Sequence, residues 1–292
     1  MGAFHEQDGT LHVQDGTLHV TDGSIGRDLF PLSYHAVLPN PLKALLIVVH
    51  GLSEHKGRYR RLQRDLASEG YGTYAYDQRG FGLSGGARTY VRAHTDFLFD
   101  LKKVFEFVRG RHPGLKVALM GHSFGGAVAA SFCAEYPSEA DGLALSAPAY
   151  KVPSLPLRLE LLGYLLNHLM PARAIRYQSE PKYLSRDPEI GAAFRSDPLV
   201  QQAGTPRFYI EFRKMNRRLR REAEKIAVPT LILQGTEDRI VIPQGAQALY
   251  NRLTTPHKRL IWYEGFYHEV FNEIGRERVI ADLISWLKEY IA

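Results

Sequence analysis

The chain has 292 residues, enough for one large α/β domain or two small ones. Apolar residues make up 45% and charged residues 23%, which excludes a disordered or collagen-like chain. Lys and Arg total 37 against 31 Asp and Glu, and the resulting net charge of +6 is too mild to imply a nucleic-acid partner. The single cysteine, Cys133, excludes an intrachain disulfide and a cysteine-built metal site, and a reducing compartment is the simplest expectation. No basic start followed by an apolar core marks a signal peptide, and no run of 18 apolar residues marks a transmembrane helix. The expected place is the cytoplasm, with peripheral membrane contact as an addition.

The chain opens on a tandem copy: QDGTLHV occupies 7–13 and again 14–20. Each copy holds an Asp-Gly turn signal and a short alternating strand pattern. Seven residues are too few for a solenoid repeat, so residues 1–20 read as a peripheral extension.

From residue 43 the pattern is regular. Strands are expected at 43–51, 71–77, 115–121, 141–148, 228–235 and 257–265. Helices are expected at 58–70, 94–111, 124–136, 243–253 and 276–291. The strands are continuously apolar rather than alternating, which suggests burial on both faces of a mostly parallel sheet between helices.

Residues 149–206 break this rhythm with seven prolines, a leucine-rich run and no clear strand. They read as a helical cap inserted between the two parts of the core, 21–148 and 207–292, because so many leucines need a core or a ligand to cover them. The segment 207–225 has eight Lys or Arg against three Glu. Phe208, Phe212, Met215, Leu219, Ala223 and Ile226 share one helical stripe, opposite the cations. A helix packed on the core with a solvated basic face is one reading, and contact with anionic lipid is the other.

Gly121-His122-Ser123-Phe124-Gly125 lies between an apolar strand and a helix of small residues. That is the setting of a G-x-S-x-G nucleophile elbow, in which Ser123 projects from a tight turn beside a helix N-terminus. A serine hydroxyl needs a histidine base, and the base needs an orienting carboxylate. In this arrangement the chain order is Ser, acid, His. Asp238 and His268 each follow a strand and fit that order. Glu237 and Glu269 are competing acids, and His257 is a weaker competing histidine because it precedes a strand. The oxyanion requires preorganised donors. The N–H of Phe124 is one candidate and that of Leu52, in the loop after the first buried strand, is the other. His50 in that loop is a structural histidine or a rival base. Metal and organic cofactors play no part in this chemistry.

HGLSEHKGRY, DQRGFGLSGG, GHSFGG, GTEDRIV and YHEVFNE occur in this order, and together they resemble the monoacylglycerol lipase and lysophospholipase branch of the α/β-hydrolase superfamily. The resemblance runs from about residue 22 to 292. It implies the same triad, Ser123, Asp238 and His268, and the same oxyanion donors, Leu52 and Phe124. It implies that Glu54 and Arg58 lie near the glycerol end of the pocket, although a buried ion pair holding the loop is an equal reading. It also implies a cap that forms an apolar tunnel for an acyl chain. Leu155, Leu159, Leu162 and Leu166 suit that role, or pack the cap against itself. Asp77, Arg79 and Gly80 match a structural D-x-R-G loop. Some members carry a second histidine three residues after the catalytic one, where this chain has Phe271. The expected activity is a serine carboxylester hydrolase that cleaves monoacylglycerol to fatty acid and glycerol. Lysophospholipid or a broad range of carboxylesters is the alternative, and a small lipid ester is the expected partner.

Overall fold

The computed structural model describes residues 11–21, 29–177 and 180–292. The strands of its main sheet are β1 (Leu11–Thr21), β2 (Leu29–Pro39), β3 (Ala44–Val49), β4 (Tyr71–Tyr76), β5 (Val117–His122) and β6 (Gly142–Ser146). A two-residue pair, β7 (Ile175–Arg176) with β8 (Ala203–Gly204), stands apart, and β9 (Thr230–Gly235) and β10 (Lys258–Tyr263) complete the sheet. The order across it is β1-β2-β4-β3-β5-β6-β9-β10. The six strands from β4 to β10 are parallel, and β2 and β1 add antiparallel pairs at one edge.

Alternate residues of each strand feed opposite faces. Leu45, Ile47 and Val49 join Leu119, Leu143 and Ile232 in one buried cluster. Ala44, Leu46 and Val48 join Met120, Ala144, Leu231 and Leu233 in the other. Helices α1 (Arg60–Ser68) and α8 (Arg276–Tyr290) cover the second face through Leu62, Leu66, Leu283 and Trp286. Helices α2 (Thr95–Arg111), α3 (Ser123–Glu135), α6 (Pro206–Glu222) and α7 (Gln244–Arg252) cover the first. Burial on both faces explains why these strands read as unbroken apolar runs.

The second Asp-Gly pair of the duplicated segment does not turn. Asp15 and Gly16 lie inside β1, paired with His35 and Tyr34 in a ladder that continues from Leu11 to Thr21. A local turn preference yields here to an eleven-residue partner strand. The first copy's Asp-Gly, at 8–9, lies outside the described residues.

Between β6 and β9 come α4 (Leu157–Leu169), α5 (Pro188–Ser196) and the pair β7–β8, a strand pairing absent from the expectation for 149–206. The basic segment forms α6. Its stripe turns inward, with Phe208, Met215 and Leu219 buried and Phe212 half-buried. Its cations are not simply solvated. Arg213 pairs with Glu160 at 2.7 Å, Arg207 donates to Asn167 at 2.7 Å and Arg217 to the Tyr164 hydroxyl at 2.9 Å. Glu160, Tyr164 and Asn167 form one polar stripe of α4, at spacings of four and three.

Candidate active site

The strand order reverses at β3, with β4 on one side and β5 on the other. Ligand sites of open α/β sheets lie beyond the strand C-termini at such a switch point. The loops after β3, β5, β9 and β10 meet there.

Ser123 follows β5 and begins α3 with φ of +52°. That left-handed value costs energy for any residue with a Cβ, so the surroundings must hold it. Two glycines allow the turn. A Cβ on Gly121 would stand 2.5 Å from the Gly125 carbonyl oxygen, and one on Gly125 would overlap the backbone oxygens of Val49 and His50. The N–H of Phe124 lies in the first turn of α3, where helices leave donors unpaired.

Asp238 and His268 meet across the β9 and β10 loops. His268 Nδ1 donates to Asp238 Oδ2 at 2.7 Å, and both residues are buried. Gly235 permits the approach, because a Cβ there would overlap the carbonyls of Phe266 and Tyr267. Asp238 Oδ1 accepts from the N–H groups of Ile240 (2.8 Å) and Val241 (3.0 Å), and Gln234 donates to Oδ2 at 3.1 Å. Burial opposes ionisation of Asp238, but His268 and these backbone donors hold its pKa below the ordinary carboxylate value. Burial likewise opposes charging of His268. The adjacent Asp238 charge and hydrogen bond, reinforced by Glu269 and Glu54, raise its pKa. Of the competing groups, Glu237 is exposed, and His257 lies tilted against the Tyr290 ring ahead of β10.

His50 is a structural histidine. Its Nε2 accepts the Gln78 N–H at 3.0 Å, so Nδ1 carries the proton and donates to the Gly51 carbonyl at 2.7 Å. Burial lowers its pKa and keeps it neutral. Asp77 and Arg79 are also structural. Asp77 holds Lys56 at 2.7 Å, and Arg79 makes two 2.6 Å bonds to Asp100. The Cys133 thiol is buried, and burial pushes it up to about 12, so it is no rival nucleophile.

The loop after β3 is held from three sides. Glu54 Oε1 accepts the Gly51 N–H at 2.5 Å and the Tyr59 hydroxyl at 2.7 Å. Arg58 donates to Glu54 at 3.2 Å and to both oxygens of Glu269 at 2.7 Å, which ties this loop to the residue after His268. On the far side, His55 Nε2 donates to Asp197 at 2.7 Å, the Gln201 N–H donates to the Ser53 carbonyl at 2.8 Å, and the Ser53 hydroxyl bonds that of Tyr177. His55, Asp197 and Tyr177 were not singled out from the sequence, and Glu269 was weighed there only as a competing acid, not as the partner of Arg58.

Ser123, His268, Leu52 and Phe124 line one cavity of about 380 Å³. Its remaining wall is largely apolar: Ala149, Val152, Leu184, Phe194, Phe212, Ile240 and Val241. Glu54, Glu269 and His122 mark a polar side, shared with a small second cavity that reaches Ser146, Phe271 and Asn272. Arg58 is not among the lining residues. Its guanidinium is taken up by the two carboxylates, as the ion-pair reading has it.

The tunnel leucines differ from expectation. None of Leu155, Leu159, Leu162 and Leu166 lines this cavity. The polar stripe of α4 faces the arginines of α6, so the leucines are turned outward. Leu155, Leu159 and Leu162 are 42%, 43% and 45% exposed, and Leu166 is half-buried. Among the described residues no cluster of His, Cys, Asp and Glu could hold a metal ion, and no helix is long and apolar enough to cross a membrane.

A family model described as serine aminopeptidase, S33, matches residues 40–275. The chain belongs to this family of α/β-hydrolases. It is 31% identical over 254 residues to a monoacylglycerol lipase of Mycolicibacterium smegmatis, covering 85% of this chain and 89% of that one. It is 32% identical over 255 residues to the monoglyceride lipase of Homo sapiens, covering 86% and 84% respectively. The crystal structure of Paleococcus ferrophilus monoacylglycerol lipase superposes with a TM-score of 0.80 at 29% identity, over 89% of this chain and 99% of that one.

Proposed function

We propose that the protein is a serine carboxylester hydrolase with Ser123 as nucleophile, His268 as base and Asp238 as the orienting carboxylate. One observation carries the reading: the buried 2.7 Å hydrogen bond from His268 to Asp238, beside a cavity that also holds Ser123 in a left-handed turn. A carboxylate only accepts, so the His268 proton sits on Nδ1 and Nε2 is left as the basic nitrogen. His268 takes the Ser123 proton as Oγ bonds to the ester carbonyl carbon. The N–H groups of Leu52 and Phe124 hold the oxyanion. Collapse breaks the bond to the alcohol, which leaves with the proton from His268. Water then repeats the sequence and frees the acid.

The substrate is monoacylglycerol, cleaved to fatty acid and glycerol. The lipases of this family named above support that assignment, and the cavity suits it with an apolar wall for a chain and a polar side for an alcohol. Residues 149–206 act as the cap over the cavity, with 21–148 and 207–292 as the core. Contact with a lipid surface belongs to the same reading. Six leucines of α4 are exposed, from 43% at Leu159 to 71% at Leu157, close to the arginines of α6.

The test is fatty-acid release from 1-monoacylglycerol and lysophosphatidylcholine, side by side, with Ser123→Ala as control. Faster release from monoacylglycerol, lost in the variant, is the expected result. Faster release from the lysophospholipid would move the substrate to that class. Release that survives Ser123→Ala would overturn the triad.

A further inference from the structure

We propose that Glu269, together with Glu54, makes the alcohol side of the cavity selective against anionic leaving groups, so that esters of neutral alcohols are cleaved in preference to those of phosphorylated ones. This rests on the hydrolase reading above and narrows its substrate.

The argument begins with the charges around the cavity. Among the described residues its wall includes three glutamates, Glu54, Glu180 and Glu269, and no lysine or arginine. The small cavity behind the polar side also has Glu54 and Glu269 in its wall and no cation. The nearby cation is Arg58, which lies behind this wall between the two carboxylates. Two glutamates and one arginine leave the trio with one net negative charge. Burial opposes ionisation of Glu54, but His122, Arg58 and the Tyr59 hydroxyl hold its pKa below the ordinary value, so it is charged at neutral pH.

The carboxylates are also fixed in place. Glu54 is held by Gly51, Tyr59 and Arg58. Glu269 is held by Arg58 and by the Asn272 amide at 2.8 Å, and its backbone N–H donates to the Leu184 carbonyl at 2.7 Å. They cannot swing away from an incoming anion without leaving Arg58 buried and unpaired. Glycerol hydroxyls can donate to such carboxylates. A phosphate monoester can only face them, and the two buried carboxylates repel it more strongly than exposed ones would.

The test uses two soluble esters with one acyl chain, the hexanoyl esters of glycerol and of glycerol 3-phosphate, which removes any difference in aggregation. The readout is the ratio of their kcat/KM values. At low salt the wild type should favour the neutral ester by about tenfold or more. Glu269→Gln should shrink that ratio several-fold, and Glu269→Asp, which keeps the charge, should retain it. Added salt should shrink the wild-type ratio. A wild-type ratio near one, or a ratio that Glu269→Gln leaves unchanged, would overturn the proposal. If Glu269→Gln fails to fold, the wild-type salt series decides, and a ratio indifferent to salt overturns it. Absence of hydrolysis of either ester would count against the hydrolase reading instead, so the two failures are distinguishable.

Discussion

Helices α3 and α4 both have 13 residues and were placed in opposite situations by the fold. α3 is built largely of Gly, Ala and Ser with two Phe, and twelve of its residues are buried. α4 carries seven leucines and none of its residues is buried. Leucine content alone would rank them the other way. α3 lies against β3 and β5, where small residues let backbones approach to contact. α4 lies outside the sheet and turns its polar stripe, Glu160, Tyr164 and Asn167, to the arginines of α6. Burial here follows the neighbour that topology supplies, and among the described residues nothing buries the leucines of α4.

The sharpest way to break this comparison is to add one methyl group to each helix. In Gly125→Ala the new Cβ would overlap the backbone oxygens of Val49 and His50, and neither can move without disturbing β3. We expect loss of several kcal/mol, enough to leave little folded protein by circular dichroism or thermal melting. A soluble, active Gly125→Ala would mean that the close packing of α3 is not needed.

The next largest effect falls on the proposed triad, whose serine begins α3. Asp238→Asn should cut kcat by about 10³–10⁴ through loss of the His268 orientation. It should also change the pH profile. Asp238 raises the pKa of His268 above the ordinary 6.5. The base must be neutral, so wild-type activity should rise with pH through a value above 6.5. Removal of the charge should move that limb to lower pH. A limb that stays in place would mean that another group controls it.

A smaller effect separates α4 from the core. Leu161→Ser with Leu165→Ser should leave Tm within a few degrees, because these side chains are 60% and 54% exposed. The same pair should slow hydrolysis of emulsified or vesicle-borne substrate several-fold while sparing a soluble short-chain ester. Equal loss on both substrates would assign the leucines to the cavity rather than to a lipid surface.

The smallest effect is the companion methyl. Gly163→Ala places a Cβ 3.5 Å from the Tyr209 ring, an ordinary contact. Alanine is the better helix former, so stability should rise by about 0.5–1 kcal/mol, read as a small increase in Tm. A fall would mean that α4 packs on α6 more tightly than these distances show.

Much of the fold was legible in the sequence because local and tertiary preferences agree there. Unbroken apolar strands such as Ala44–Val49 signal two covered faces, and the glycines around Ser123 mark a turn that larger side chains cannot make. Asp238 and His268 were legible for a related reason: the chain order and the position after a strand restrict the choice to few residues. The β1–β2 ladder was not, because an Asp-Gly pair reads as a turn until a long partner strand overrides it. The direction of the α4 leucines was not legible either, because the seven leucines of α4 spread around the helix and leave the stripe of Glu160, Tyr164 and Asn167 to decide the orientation.

The sequence by itself therefore determined the parallel part of the sheet, the elbow and the chain order of the proposed reacting groups, all of which follow from backbone sterics and hydrophobic periodicity. The tertiary structure decided which charges face one another. It brought Glu269 onto Arg58 across 211 positions of chain and His55 onto Asp197 across 142. Spacing along a chain carries no record of such encounters, because a loop's direction is set by whatever it packs against.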